Sequence, residues 1–259
     1  MAGPAPTSHA PTVPEHEVLA VVLQVRRAAL HVLLWQHGRG PARGAWALPG
    51  GPLLSGDPDG GTLGQSIAHH LAAKVDVQHL AHLEQLETRS DPDRDPRRRV
   101  LATAYLGIVP ASTDPERADQ VLPPDTAWHP VEALPPMAFD HRSITLSGVA
   151  RLRAKLSYTN LGFALAPEEF TASELQSIYR AALGHDVSAT NLKRILIRRE
   201  QIIATGEVSP PGTSGGRPAA LYRFRLRQIQ VTDQFAVLRP PDARAVSDLE
   251  GPSAGSLDR

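Results

Sequence analysis

The 259-residue chain has no cysteine. That excludes a disulfide scaffold, a thiol nucleophile and every thiolate metal site, and it fits a reducing compartment. The chain also lacks net charge, its 27 Lys and Arg balancing 27 Asp and Glu. Taken whole, that balance argues against nucleic acid as a partner. No run approaches the roughly 18 apolar residues of a membrane span. Met1 to Pro14 has neither a basic start nor an apolar core, so it reads as a disordered lead-in rather than a signal peptide. The expected location is cytoplasmic, with no membrane partner. Turn formers are plentiful, with 24 Pro and 20 Gly, yet 41% hydrophobic residues still support a folded interior. The length is close to that of two ordinary domains.

Composition divides the chain into a lead-in (1–16), a β-rich unit (17–150), a smaller basic unit (151–227) and a largely disordered C-terminal extension (228–259). Val18–Val25 and Leu30–Trp35 are apolar, β-branched runs split by Arg26-Arg27-Ala28-Ala29, which reads as a hairpin. Val100–Val109 is another long strand. Between them Leu63, Ile67, His70, Leu71 and Lys74 follow helical spacing from about Thr62 to Lys74. A further helix over His141–Ser157 bridges to the second unit. The extension holds one apolar run, Phe235 to Leu238, and no internal repeat is visible. Strands with few helices among them indicate an α+β domain.

Dividing the charge changes its meaning. Residues 1–150 carry 12 basic and 16 acidic side chains, net −4; residues 151–227 carry 12 and 6, net +6; the extension carries 3 and 5, net −2. Within the basic unit Thr171 and Glu174 form a capping box, with Phe170 and Leu175 at staple positions and Gly184 as a natural stop. Ser188 is a second N-cap, opening a helix from Ala189 to about Gln201. On that helix Leu192, Ile195, Leu196 and Arg199 share one side. Thr190, Lys193, Arg194, Ile197 and Arg198 share the other. Two helices joined by a short turn, the second with a basic outer face, form the pattern of a helix-turn-helix. Ile202–Glu207 and Ala219–Phe224 then read as a hairpin whose loop bears Arg217, as in the wing of a winged helix. The expected DNA contacts are Thr190, Asn191, Lys193, Arg194, Arg198 and Arg217, with Asn suited to adenine and Arg or Lys to guanine. Reversing Lys193 and Arg194 to Glu is the corresponding expected disruption. The plainer reading of the basic face is a solvated surface.

Trp46-Ala47-Leu48-Pro49-Gly50-Gly51, with a helix about a dozen residues later, resembles the opening of a Nudix box. In that family, carboxylates one turn apart on the helix hold Mg²⁺ or Mn²⁺ against a diphosphate. Here His69 stands at the Arg position, His70 at the first helix Glu, Ala73 and Lys74 at the adjacent Glu pair, and Asp76 at the late Gly. A Lys at a cation-ligand position repels the metal. His69 and His70 point about 100° apart and are not expected to share an ion. The expectation is no metal, no catalytic residue and no hydrolysis.

A Nudix-like domain followed by a winged helix resembles the Nudix-related transcriptional regulators of NAD metabolism. Leu83-Glu84-Gln85-Leu86, Asp91-Pro92-Asp93-Arg94-Asp95-Pro96-Arg97, Ala104-Tyr105-Leu106, Phe139-Asp140-His141, Tyr179-Arg180-Ala181-Ala182-Leu183-Gly184 and Gly216-Arg217-Pro218-Ala219 carry the likeness in that order. The segment after Leu86 departs from it, with Glu87-Thr88-Arg89-Ser90 where relatives usually keep an aromatic residue. The resemblance implies a Nudix-like α/β/α sandwich with a mixed sheet, followed by a winged helix-turn-helix. It further implies a homodimeric repressor on a palindromic duplex operator near NAD biosynthesis or salvage genes. Its effector would be ADP-ribose or a related nucleotide, with no other cofactor. A metal-free pocket would keep Arg43, Trp46, Arg89, Arg97 and His141 as phosphate- or ring-contacting groups. Each has a plainer role: Trp46 in the core, Arg97-Arg98-Arg99 as a strand entrance, His141 as a helix cap, Arg43 and Arg89 as loop charges. Two alternatives stay open. One is an ADP-ribose or nucleoside-diphosphate pyrophosphatase using Asp57 or Asp59 as metal ligands. The other is a repressor whose first domain only dimerises.

Overall fold

The computed structural model describes residues 13–38, 43–54, 61–112, 122–209 and 218–233. The lead-in up to residue 12, Asp57, Asp59, Arg217 and the Phe235–Leu238 run lie outside the described residues.

The first unit is built on a seven-stranded mixed sheet. Its strands are β1 (Glu15–Arg26), β2 (Ala29–Gln36), β3 (Trp46–Ala47), β4 (Gly50–Pro52), β5 (His82–Arg89), β6 (Val100–Ile108) and β7 (Thr126–Pro130). The main order is β3-β2-β1-β6-β5, with β4 also on β1 and β7 also on β2. β1 and β6 run parallel, and the other pairs are antiparallel. β1 starts two residues before the expected boundary at 17, because Glu15 and His16 already pair with Val100 and Leu101.

Along β1 alternate residues bury on opposite faces, as the period of two requires. Val18, Ala20 and Val22 meet Ile67, Leu71 and Val75 of helix α1 (Leu63–Val75). Leu19, Val21, Leu23 and Val25 meet Ile144, Val149 and Leu152 of helix α2 (His141–Tyr158). The sheet therefore lies between two helices. Gly148 brings α2 onto β1, since a Cβ there would stand 2.7 Å from Val21 Cγ1 and 3.0 Å from Val21 Cβ.

Local signals act as their chemistry dictates. Thr62 and Gln65 close a capping box at the start of α1, and Asp76 ends it in a left-handed conformation at φ 54°. That is the position where the resemblance expects Gly, and Asp tolerates it better than most side chains. The β1–β2 turn uses positive φ at both Arg27 and Ala28, the demand of a type I′ hairpin, met here without the usual Asn-Gly.

The second unit comprises α3 (Gly162–Leu165), β8 (Phe170–Thr171), α4 (Ala172–Leu183), α5 (Ala189–Arg198), β9 (Ile202–Val208) and β10 (Ala220–Phe224). Its sheet has the order β8-β10-β9. Thr171 and Glu174 make both capping-box hydrogen bonds, and Gly184 terminates α4 at φ 77°. α5 stops at Arg198, short of Gln201, because the chain turns through Glu200 at φ 52° into β9. The interiors of the two units are continuous: Phe163, Phe170, Leu175 and Phe224 belong to the same buried cluster as Val25 and Leu30.

Ordered chain also continues past Arg227. Asn160 Nδ2 donates to the Gln228 carbonyl, Val231 bridges to Thr159, and Thr232 and Asp233 donate their N–H groups to the Tyr158 carbonyl. The extension expected to be largely disordered from 228 thus begins with six residues held against α2. Among the described residues no helix is long and apolar enough to cross a membrane.

Candidate functional site

Two cavities adjoin through Arg94 and Phe139, the first of them opening beside the C-terminal part of α1. The first, of about 230 Å³, runs between β1, β2, β4, α1 and the 94–98 loop; the second, of about 770 Å³, lies on the outer side of Phe139 and Arg94. Arg97 and His141 line the first and Arg89 lines the second. Arg43 and Trp46 line neither. Arg43 is exposed in a turn, and the Trp46 ring packs edge-on against His129 at 4.3 Å over the buried cluster. The aromatic groups lining the first cavity are Trp35, Phe139 and His37.

Phe139 separates the cavities and does so under strain, at φ 51°, where a bulky residue is an outlier of the kind that collects at functional sites. Around its ring stand His37 at 6.1 Å, His141 at 5.7 Å and the Arg97 guanidinium at 5.5 Å. Such a cluster of π faces and cations suits a planar base next to an anion. Gly50 and Gly51 form the floor. A Cβ on Gly50 would lie 2.1 Å from the Val18 carbonyl oxygen, and one on Gly51 would lie 2.7 Å from the His70 ring. Gly50 therefore excludes any side chain, and one at Gly51 would have to displace the His70 ring.

Charge in the cavity is ordered by pairing. Arg94, nearly fully buried, grips Asp140 through two hydrogen bonds of 3.2 and 2.9 Å. Arg97 grips Asp95 likewise at 2.9 and 2.6 Å, and that guanidinium holds the Asp95 carboxyl down to about 2. Arg98 bonds both Glu15 and Glu17. Lys74 differs. Its Nζ donates to the Gly50 carbonyl at 2.5 Å and sits 4.9 Å from the Trp35 ring centroid. Among the described residues no carboxylate pairs with it. Burial lowers its pKa, with Glu17 opposing. Arg89 is held by Glu87 and Ser147 at the edge of the second cavity.

His141 is the first residue of α2. The Leu48 backbone N–H donates to its Nδ1 at 3.0 Å, which requires that nitrogen to be unprotonated. Burial pushes its pKa down to about 3 from 6.5. A group depressed in the folded state contributes stability above its unfolded pKa and loses it as pH falls. Folding stability should therefore decline between pH 6.5 and 3. His141 supplies up to one proton of that dependence, about 1.4 kcal/mol per pH unit. Urea unfolding from pH 7 to 4 should give a shallower slope for His141→Asn than for the natural chain; equal slopes would refute a neutral His141.

The metal test has a clear outcome. On α1 the His70 ring donates from Nε2 to the Pro52 carbonyl at 2.8 Å, Ala73 offers no donor atom, and Lys74 offers a cation. His69 is exposed. Among the described residues no group of three or more His, Asp or Glu side chains is arranged to hold a metal ion. The residues present do not fit the divalent cation that the Nudix fold implies.

The second candidate surface is α5. Thr190, Asn191, Arg194, Ile197 and Arg198 are exposed along one side, while Leu192 and Leu196 are buried. Arg194 Nη2 donates to Asn191 Oδ1 at 2.8 Å. This leaves the Asn191 amide nitrogen free to donate, an arrangement of donors that suits hydrogen bonding to base edges. Lys193 turns aside, half-buried, with its ammonium 5.7 Å from the Tyr222 ring of β10.

Sequence reasoning missed Lys74, Trp35, His37, Arg94 and Phe139 as cavity groups. In the sequence Lys74 reads as a stripe residue at a lost ligand position, and Arg94 as part of the family likeness. The helical phase that puts Lys74 one turn after His70 was the available signal.

Residues 162–224 match the NrtR DNA-binding winged helix domain. Over 208 residues, 80% of each protein, the chain is 30% identical to the ADPR responsive transcriptional repressor NtrR of Acinetobacter baylyi. It is also 30% identical to Shewanella oneidensis NrtR in a crystal structure with a 27mer DNA, with a TM-score of 0.69 over 81% of this chain and 93% of that one. A MutT/nudix family protein from Enterococcus faecalis, 20% identical, shares the fold with a TM-score of 0.61 over 84% and 88% of the two chains. A Nudix-like sheet domain and a winged helix with this degree of likeness in one chain place it in the NrtR family of transcriptional regulators.

Proposed function

We propose that the protein is a DNA-binding repressor that senses ADP-ribose, or a related NAD-derived nucleotide, in the Phe139 cavities without hydrolysing it. It would act as a homodimer on a palindromic operator controlling NAD biosynthesis or salvage genes. The A. baylyi relative is an ADPR-responsive repressor and the S. oneidensis relative binds a 27mer duplex; both properties fit the two surfaces of this chain. Symmetry accounts for the dimer, since two recognition helices one DNA turn apart read two half-sites.

One element carries the reading. Helix α2 starts in the cavity wall, where Arg94 holds Asp140 and Leu48 holds His141, and it ends against the recognition helix. There Arg199, which follows α5, donates to the Ser157 carbonyl at 3.1 Å and pairs with Asp233, itself bonded to Tyr158. Gln201 Nε2 reaches the Thr159 carbonyl at 3.5 Å. Eighteen residues of helix span roughly 27 Å. A ligand that moves Phe139 or Asp140 thus acts on a rigid rod whose far end positions α5. Coupling of this kind is typically about 1–3 kcal/mol.

A pyrophosphatase would need Asp57 or Asp59 as ligands, in the absence of carboxylates on α1 itself. Incubation with ADP-ribose and Mg²⁺ should give no AMP, while a mobility shift at low salt should retain a duplex taken from upstream of an NAD gene. AMP release at ordinary enzyme rates, or no affinity for any duplex, would overturn the reading.

A further inference from the structure

We infer that the Lys74 ammonium takes the place of the divalent cation, so that this cavity binds a diphosphate without metal. The inference rests on the nucleotide reading above and adds how the anion is held.

The positions that would carry metal-binding carboxylates are filled by groups that cannot ligate. His70 is committed to Pro52, Ala73 has no donor and Lys74 is a cation. A carboxylate-to-lysine exchange alone would merely abolish metal binding. What makes it constructive is where the ammonium goes. Lys74 does not swing out to solvent, as a long side chain on a helix readily does. It crosses to Gly50 on the cavity floor and lies against Trp35.

Arg94, Arg97 and Arg98 each meet carboxylates. Among the described residues Lys74 bonds a carbonyl and lies against a ring face, neither of which neutralises it, and no carboxylate pairs with it directly. An ammonium has three N–H donors, and only one is used in the hydrogen bond to Gly50. Holding a cation half-buried with no bonded carboxylate, attracted only by Glu17 across the same cavity, is unfavourable, and an anion beside it would complete the site. Gly50, where a Cβ would collide with the Val18 backbone, and Gly51, where it would displace the His70 ring, leave the backbone bare beside it for close approach by phosphate. Arg97, which lines the same cavity with a partly exposed side chain, bonds Asp95 through Nε and Nη2 and keeps Nη1 for a further phosphate oxygen.

The test is calorimetric titration of ADP-ribose into the full chain, once in excess EDTA and once in millimolar Mg²⁺. The natural protein should bind equally in both, within about twofold. Lys74→Gln should weaken binding at least tenfold in both buffers, and Lys74→Arg should restore most of it. The double variant Ala73→Glu, Lys74→Glu should bind only when Mg²⁺ is present. Binding by the natural protein that disappears in EDTA, or Lys74→Gln binding as well as the natural chain, overturns the inference and leaves the nucleotide reading intact. No binding by the natural protein in either buffer overturns both. The EDTA comparison needs no variant, so a misfolded Lys74→Gln does not shelter the inference.

Discussion

Replacing Arg194 and Arg198 together by glutamate should lower affinity for operator DNA by roughly two orders of magnitude or more, with the melting temperature within a few degrees of the natural chain. Both side chains are exposed on α5. Their only interaction among the described residues is the Arg194 hydrogen bond to Asn191, so folding loses little. Binding loses much more. Each bidentate arginine–guanine contact contributes about 1–3 kcal/mol, and two of them correspond to roughly 30- to 10⁴-fold in affinity. Four units of reversed charge against phosphate add a salt-dependent penalty. This pair is a better choice than Lys193 with Arg194, because Lys193 faces Tyr222 and its replacement would also disturb the packing of the wing. Mobility shifts at two salt concentrations check the expectation. Affinity within threefold of the natural chain would show that α5 does not enter the groove.

Substituting Gly148 by valine should cost about 1–3 kcal/mol, the usual range for overfilling a close-packed contact. At about 2–4 °C per kcal/mol for a chain of this size, the melting temperature should fall by roughly 2–12 °C. The new atoms have nowhere to go. A Cβ already meets Val21 Cγ1 at 2.7 Å and Val21 Cβ, which no side-chain rotation moves, at 3.0 Å, and Val21 is fully buried in β1. Relief requires α2 to lift from the sheet. Because α2 joins the Phe139 cavities to α5, the same variant should reduce the response of DNA affinity to ADP-ribose more than it reduces DNA affinity itself. Thermal melting and paired titrations separate the two effects. An unchanged melting temperature would mean that α2 and β1 have slack at this contact.

The architecture was largely legible where local chemistry is strong. Thr171 with Glu174, Ser188 and Gly184 bracket α4 and α5 because helix ends leave backbone donors and acceptors that such residues satisfy. The basic face of α5 followed from 3.6-residue periodicity. Its exception, Lys193, depends on a tertiary neighbour, Tyr222, that no periodicity reveals. Short strands such as β3, β4 and β8 carry too few residues to show alternation, and their pairing is set by β1, β2 and β10. The cavity was half legible. Arg97 and His141 came from motif likeness, whereas Trp35 and His37 at the end of β2, Phe139 before α2 and Lys74 on α1 converge only once the sheet is assembled. Lys74 is the instructive residue, since the substitution that removes a metal ligand also delivers a charge to the cavity floor.

The most direct test of the whole account is fluorescence anisotropy of a labelled operator duplex, saturated with the natural protein and titrated with ADP-ribose. A ligand that binds the two conformations unequally must shift DNA affinity by the same factor by which DNA shifts its own. ADP-ribose should change the operator affinity by roughly 5- to 150-fold, the range of a coupling of about 1–3 kcal/mol, and the change should persist in EDTA. Operator affinity unmoved by saturating ADP-ribose would contradict it.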